Sequence, residues 1–130
     1  MWPFRGASAG LGPRGERLAM RHLRQGGLKI LARNYRCPAG EIDLIALDRS
    51  SRAESGAETL VFVEVKTRAS DRYTDPSAAV DADKRRRVER AASHYLAERG
   101  GGGFNVRFDI VSIVAAPGER PRIEHIPQAF

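Results

Sequence analysis

The sequence has a single cysteine, Cys37, so it cannot form an internal disulfide or a cysteine-based zinc site. A reducing, cytoplasmic setting is the expectation that follows. No apolar run approaches the ~20 residues that a membrane-crossing helix needs. The opening residues Met1-Trp2-Pro3-Phe4-Arg5-Gly6 lack the apolar stretch of a secretory signal. The three histidines, His22, His94 and His125, have no metal-ligand spacing, so core or surface roles are expected for them. There is no internal repeat, and 130 residues leave room for one core.

What is abundant is charge, unevenly placed. The whole chain carries +6. Residues 1–40 carry +7, residues 41–83 carry −5 and residues 84–130 carry +4. An acidic middle between basic flanks suits a metal-dependent enzyme that acts on a phosphate polymer. An ordinary solvated surface gives the same arithmetic.

Residues 1–14 have no periodicity and read as a loose tail ahead of a single domain, 15–130. A helix from Gly15 presents Ala19 and Leu23, with Leu18 or His22, on one face and stops at Gly26-Gly27. Strands are expected over Leu28–Tyr35, Glu41–Leu47 and Thr59–Thr67, the last carrying the run Leu60-Val61-Phe62-Val63. The segment 48–58 reads as a surface loop, and 69–81 as a loop with at most a helical turn. A second helix, Asp83 to about Arg99, carries the stripe Val88, Ala91, Ala92, Tyr95 and Leu96 and ends at Gly100–Gly103. Strands over Asn105–Val114 and Arg122–Ile126 follow. The order α-β-β-β-α-β-β predicts an α/β domain with a mixed sheet. Its first three strands form an antiparallel meander, and a right-handed crossover leads to a parallel fourth.

Three charged residues interrupt the apolar strands: Asp43 in one, Glu64 and Lys66 in the next. Residues two apart share a strand face, so Glu64 and Lys66 point the same way. If the 48–59 loop closes symmetrically, opposed residues have numbers that sum to 107. Asp43 then faces Glu64, and Glu41 faces Lys66. Opposed carboxylates lie roughly 4.5–5.5 Å apart at Cβ and repel unless something compensates. A divalent cation with a preference for oxygen, Mg²⁺ or Mn²⁺, would do so. The plainer alternative pairs Lys66 with Glu41 and leaves Asp43 at a solvated edge. For Glu16, near the start of the first helix, favourable placement by the positive end of the helix dipole is the commoner explanation.

The segments Gly15-Glu16, Gly40-Glu41-Ile42-Asp43-Leu44-Ile45-Ala46, Phe62-Val63-Glu64-Val65-Lys66-Thr67-Arg68 and Ala79-Val80…Lys84-Arg85-Arg86 together resemble the YraN-like family. These are small bacterial proteins predicted to be endonucleases, related to archaeal Holliday-junction resolvases within the PD-(D/E)XK nucleases. The resemblance runs from about Gly15 to the C-terminus, with its motifs in the family's order. It implies a restriction-endonuclease-like fold and a catalytic set of Glu16, Asp43, Glu64 and Lys66, with Asp43 and Glu64 as metal ligands for Mg²⁺ or Mn²⁺. One departure is Tyr73-Thr74, where Phe-Gly would be expected.

The reaction implied is hydrolysis of DNA phosphodiesters, with branched structures as candidate substrates. Arg68 and the run Lys84-Arg85-Arg86-Arg87 would meet phosphates without reading sequence, although a solvated helix face explains the run equally well. The competing function is a nuclease-like fold that binds nucleic acid or protein and cleaves nothing. Expected partners are nucleic acid, DNA before RNA, and no membrane. A homodimer is left open.

Overall fold

The structure is a computed structural model that describes residues 12–69, 82–100 and 102–130. The elements run α1 (Gly12–Gln25), β1 (Lys29–Cys37), β2 (Gly40–Asp48), α2 (Arg52–Ser55), β3 (Thr59–Arg68), α3 (Ala82–Glu98), β4 (Asn105–Val114) and β5 (Arg122–Ile126). Among the described residues five strands form one mixed sheet in chain order, β1-β2-β3-β4-β5. All neighbours are antiparallel except β3 and β4, which α3 connects in parallel. The expected antiparallel meander and the helical connection to a parallel fourth strand are therefore present. Two details differ from expectation. The helix begins at Gly12, inside the segment read as tail, and the 48–58 loop contains the one-turn helix α2. The remaining tail residues, 1–11, lie outside the described residues, as does most of the 69–81 loop with Tyr73-Thr74.

Two apolar clusters hold the sheet between its helices. On one face, Ala19, Met20 and Leu23 of α1 pack on Leu44, Ala46, Val61, Val63, Val111 and Ile113. On the other, Val88, Ala91, Ala92 and Tyr95 of α3 pack on Ile45, Leu47, Leu60 and Phe62. A side chain of this size contributes ~1.5–3 kcal/mol when fully buried, so the two clusters are the main source of stability. β2 and β3 are apolar on both faces because both faces are covered. α1 stops where the paired glycines require it. Gly27 adopts a left-handed φ of 94°, and the Leu28 N–H donates to the Leu23 carbonyl at 3.0 Å, closing the helix end. Among the described residues no helix is long and apolar enough to cross a membrane.

Candidate active site

The β2–β3 ladder has the expected register. Asp48 faces Thr59, Leu47 faces Leu60, and the pairing continues to Leu44 and Val63. There the paired ladder ends. At the next position Asp43 uses its side chain: Oδ2 accepts a hydrogen bond from the Val65 N–H at 2.9 Å. A carboxylate thus takes the place of a strand carbonyl where the two strands part.

Glu64 lies beside this fork on the α3 side of the sheet. It follows the alternation of Leu60 and Phe62, which pack on α3. It is buried, and its Oε1 pairs with Lys84 Nζ of α3 at 2.8 Å. Its Oε2 is buried with no hydrogen-bond partner among the described residues. Burial is the main force raising the Glu64 pKa. The charge of Asp43 pushes the same way, and Lys84 opposes both. The two carboxyl groups are therefore near neighbours.

Lys66 continues the same strand face and is half-buried. Burial lowers its pKa, and the charge of Lys84 lowers it further. Glu64 and Asp43 pull it partly back. A lysine held in this way gives up its proton more readily than one in water. Arg68 follows on β3, half-buried, with Nη2 donating to Ser112 Oγ at 3.4 Å.

The other expected residues fall as follows. Glu16 is buried on α1, and its Oε2 accepts from Asn34 Nδ2 at 3.1 Å. Among the described residues no three of Asp, Glu, His and Cys form a group able to hold an ion, so Glu16 does not complete a three-carboxylate cage. Glu41 pairs with Arg36 at 3.1 Å, across the β1–β2 hairpin. The basic run needs a correction. Lys84 is only 2% exposed and serves as the counter-charge of Glu64, so it is not available to a phosphate on the surface. Arg85, Arg86 and Arg87 are exposed.

Lys84 is the site residue that the sequence reading misplaced, although a signal was present. The spacing Lys84, Val88, Ala91, Tyr95 places it on the apolar stripe of α3, not on the charged side.

The donor set suits a hard cation. Asp43 and Glu64 offer carboxylate oxygens, and Glu64 Oε2 is buried without a donor. Mg²⁺ is commonly held by one or two carboxylates, completed by water and substrate phosphate, so a third protein carboxylate is not required. Lys84 already neutralises part of the charge that such an ion would balance.

Fold and site together describe a small α/β protein with two buried carboxylates and a half-buried lysine at the fork of a mixed sheet. The model of the uncharacterised protein family UPF0102 matches residues 15–113, and the chain belongs to that family. A UPF0102 protein of Nocardia farcinica is 46% identical over 125 residues, covering 96% of this chain and 92% of its own. One from Geobacter metallireducens is 45% identical over 120 residues, covering 92% and 91%. One from Rhodococcus jostii is 42% identical over 120 residues, covering 92% and 95%.

Proposed function

We propose that the chain is a Mg²⁺- or Mn²⁺-dependent endonuclease that hydrolyses DNA phosphodiesters, with branched DNA as a candidate substrate. The observation that carries this reading is the buried carboxylate pair. Asp43 and Glu64 crowd together at the fork, against the electrostatic preference of the fold, with Lys66 two residues along the same face. Such a cost is unexplained by packing and is typical of functional sites.

In this reading Asp43 and Glu64 would hold the cation, with the Val65 carbonyl as a further candidate ligand. When bound, a divalent ion supplies charge neutralisation at the phosphate and a more acidic water. The protein's own groups do the rest. Asp43 is fixed in place by the Val65 N–H. Lys66, with its lowered pKa, orients or deprotonates the attacking water, or faces the negative charge that develops on the phosphoryl oxygens. Lys84 keeps Glu64 from rotating away by holding Oε1. Arg68, farther along β3, steadies a neighbouring phosphate.

A second reading has its own observation. The 2.8 Å Lys84–Glu64 pair supplies a counter-charge without any metal, which suits a nuclease-like fold that binds and does not cleave. Cleavage assays with Mg²⁺ and Mn²⁺ on duplex, single-stranded, flap and four-way DNA separate the two. Catalysis requires metal-dependent product from wild type, and about 10²-fold less or lower still from Lys66→Met, with DNA affinity little changed. Wild-type protein that binds these DNAs and yields no product with either metal supports the binding module. Equal cleavage by wild type and Lys66→Met removes the lysine from the mechanism.

A further inference from the structure

The solvent side of α1 carries Arg14, Arg17, Arg21 and Arg24, all exposed. Their spacing of three, four and three residues sets them in one stripe along the helix, about 15 Å long at 1.5 Å per residue. The edge strand β1 adds exposed Lys29 and Arg33 beside it. Between helix and strand runs a groove of about 480 Å³, flanked by Arg17, Arg24 and Arg33 and floored by Met20, Ile30 and Leu31. Exposed helix faces usually mix the two signs of charge. Here the only acid between residues 12 and 37 is Glu16, and it is buried.

The basic run of α3 contrasts with this stripe. Lys84 is buried against Glu64, Arg86 pairs with Asp83, and Arg85 lies over the Phe130 ring at 5.8 Å. Those cations are partly engaged within the protein. Among the described residues the α1 arginines, Lys29 and Arg33 form no ion pair.

We infer that the α1 stripe and the α1–β1 groove form the surface that holds the phosphodiester backbone of nucleic acid. This inference rests on the proposed function and adds a backbone-holding surface on the α1 side of the sheet, across from the α3 side that carries Glu64 and Lys84. Four arginines over about 15 Å match the axial span of four to five phosphates of one strand, at ~3.4 Å of duplex axis each. The contact is to backbone, so it carries no sequence preference. An anionic membrane is the less suitable occupant. The apolar side of α1 is spent on the sheet through Ala19, Met20 and Leu23, and is not available to enter a bilayer.

The test is fluorescence anisotropy with labelled duplex and four-way DNA in EDTA, at a series of NaCl concentrations. Arg→Gln changes at exposed positions leave stability nearly unchanged, which thermal melts verify. The triple variant Arg17→Gln/Arg21→Gln/Arg24→Gln is expected to bind about a hundredfold more weakly near 0.1 M salt. Its slope of log affinity against log salt should fall by about 2.7, or 0.9 per phosphate contact. The matching α3 variant, Arg85→Gln/Arg86→Gln/Arg87→Gln, should change that slope by less than about one contact.

Wild-type affinity and slope in the α1 variant overturn the inference. So does a loss confined to the α3 variant, or a wild type that binds anionic phospholipid vesicles or acidic peptides and no DNA. Because EDTA excludes cleavage, failure here is distinct from failure of the catalytic reading. Asp43→Asn should abolish cleavage while the α1-dependent slope persists.

Discussion

Glu64 and Asp109 are buried carboxylates in adjacent strands, and they live under opposite conditions. Asp109 is surrounded by donors. Arg107 reaches it through two bonds of 2.9 Å, His125 Nε2 lies at 2.6 Å, and the Gln128 N–H donates at 3.1 Å. Arg107 also joins Asp48 of β2 at 3.1 Å, so the network ties β2, β4 and β5 together. Hydrogen bonds from His125 and Arg107 outweigh burial and hold the Asp109 pKa below its ordinary value. Glu64 has one cation, a neighbouring carboxylate and an oxygen without a donor, and its pKa moves up. A fold can plainly satisfy a buried acid, as it does at Asp109. The contrast marks the Asp43–Glu64 pair as a place where stability has been conceded.

The sharpest way to break this comparison is to remove each acid's support. Asp109→Ala strands Arg107, His125 and the Gln128 N–H, and should cost roughly 3–5 kcal/mol in urea unfolding. Activity per folded molecule should be unaffected. Lys84→Met removes the counter-charge of Glu64, which can respond by keeping a proton. A smaller loss of about 1–3 kcal/mol is expected. If the two losses are equal, the two buried acids do not differ in how the fold supports them.

Asp43→Asn should have the smallest effect on stability, with a sign opposite to its effect on function. The amide oxygen can still accept from Val65, and one of two crowded charges is gone. In EDTA the melting temperature should stay level or rise, by no more than about 1 kcal/mol in stability. Stabilisation by Mn²⁺, measured by the same melt, should disappear. A large loss of stability would instead make Asp43 a structural residue.

The two acids also oppose each other in pH. For Asp109, a depressed pKa means a stabilising contribution that is present above about 3.8 and lost as pH falls towards the folded-state value. For Glu64 the folded-state pKa is raised from 4.5 to about 8. Its contribution is fully present below 4.5 and is lost as pH rises through about 8. Metal-free protein should therefore lose stability on both sides of a mildly acidic optimum. Glu64→Gln should flatten only the upper limb. An unchanged upper limb in that variant would remove Glu64 as its source.

Much of the Asp43–Glu64 site was legible because the information was local. Strand alternation and the length of one hairpin loop were enough to place Leu44 against Val63, and so to bring Asp43 and Glu64 together. Lys84 was misread because its neighbours Arg85, Arg86 and Arg87 suggested a charged surface, whereas its helical spacing pointed inward. The Asp109 network was not legible. Asp48, Arg107 and His125 come from three strands, and no short-range pattern links them. The split of the basic surface between α1 and α3 was equally hidden, since sequence counts charges without showing which are already engaged.

The bond from the Val65 amide to Asp43 has a spectroscopic consequence. An amide proton held by a carboxylate senses that group's charge through its chemical shift, whereas one in the ladder senses mainly strand geometry. The Val65 resonance is thus a built-in reporter at the fork. It should move when Asp43 changes protonation or acquires a cation, while Val63, inside the paired ladder, stays still.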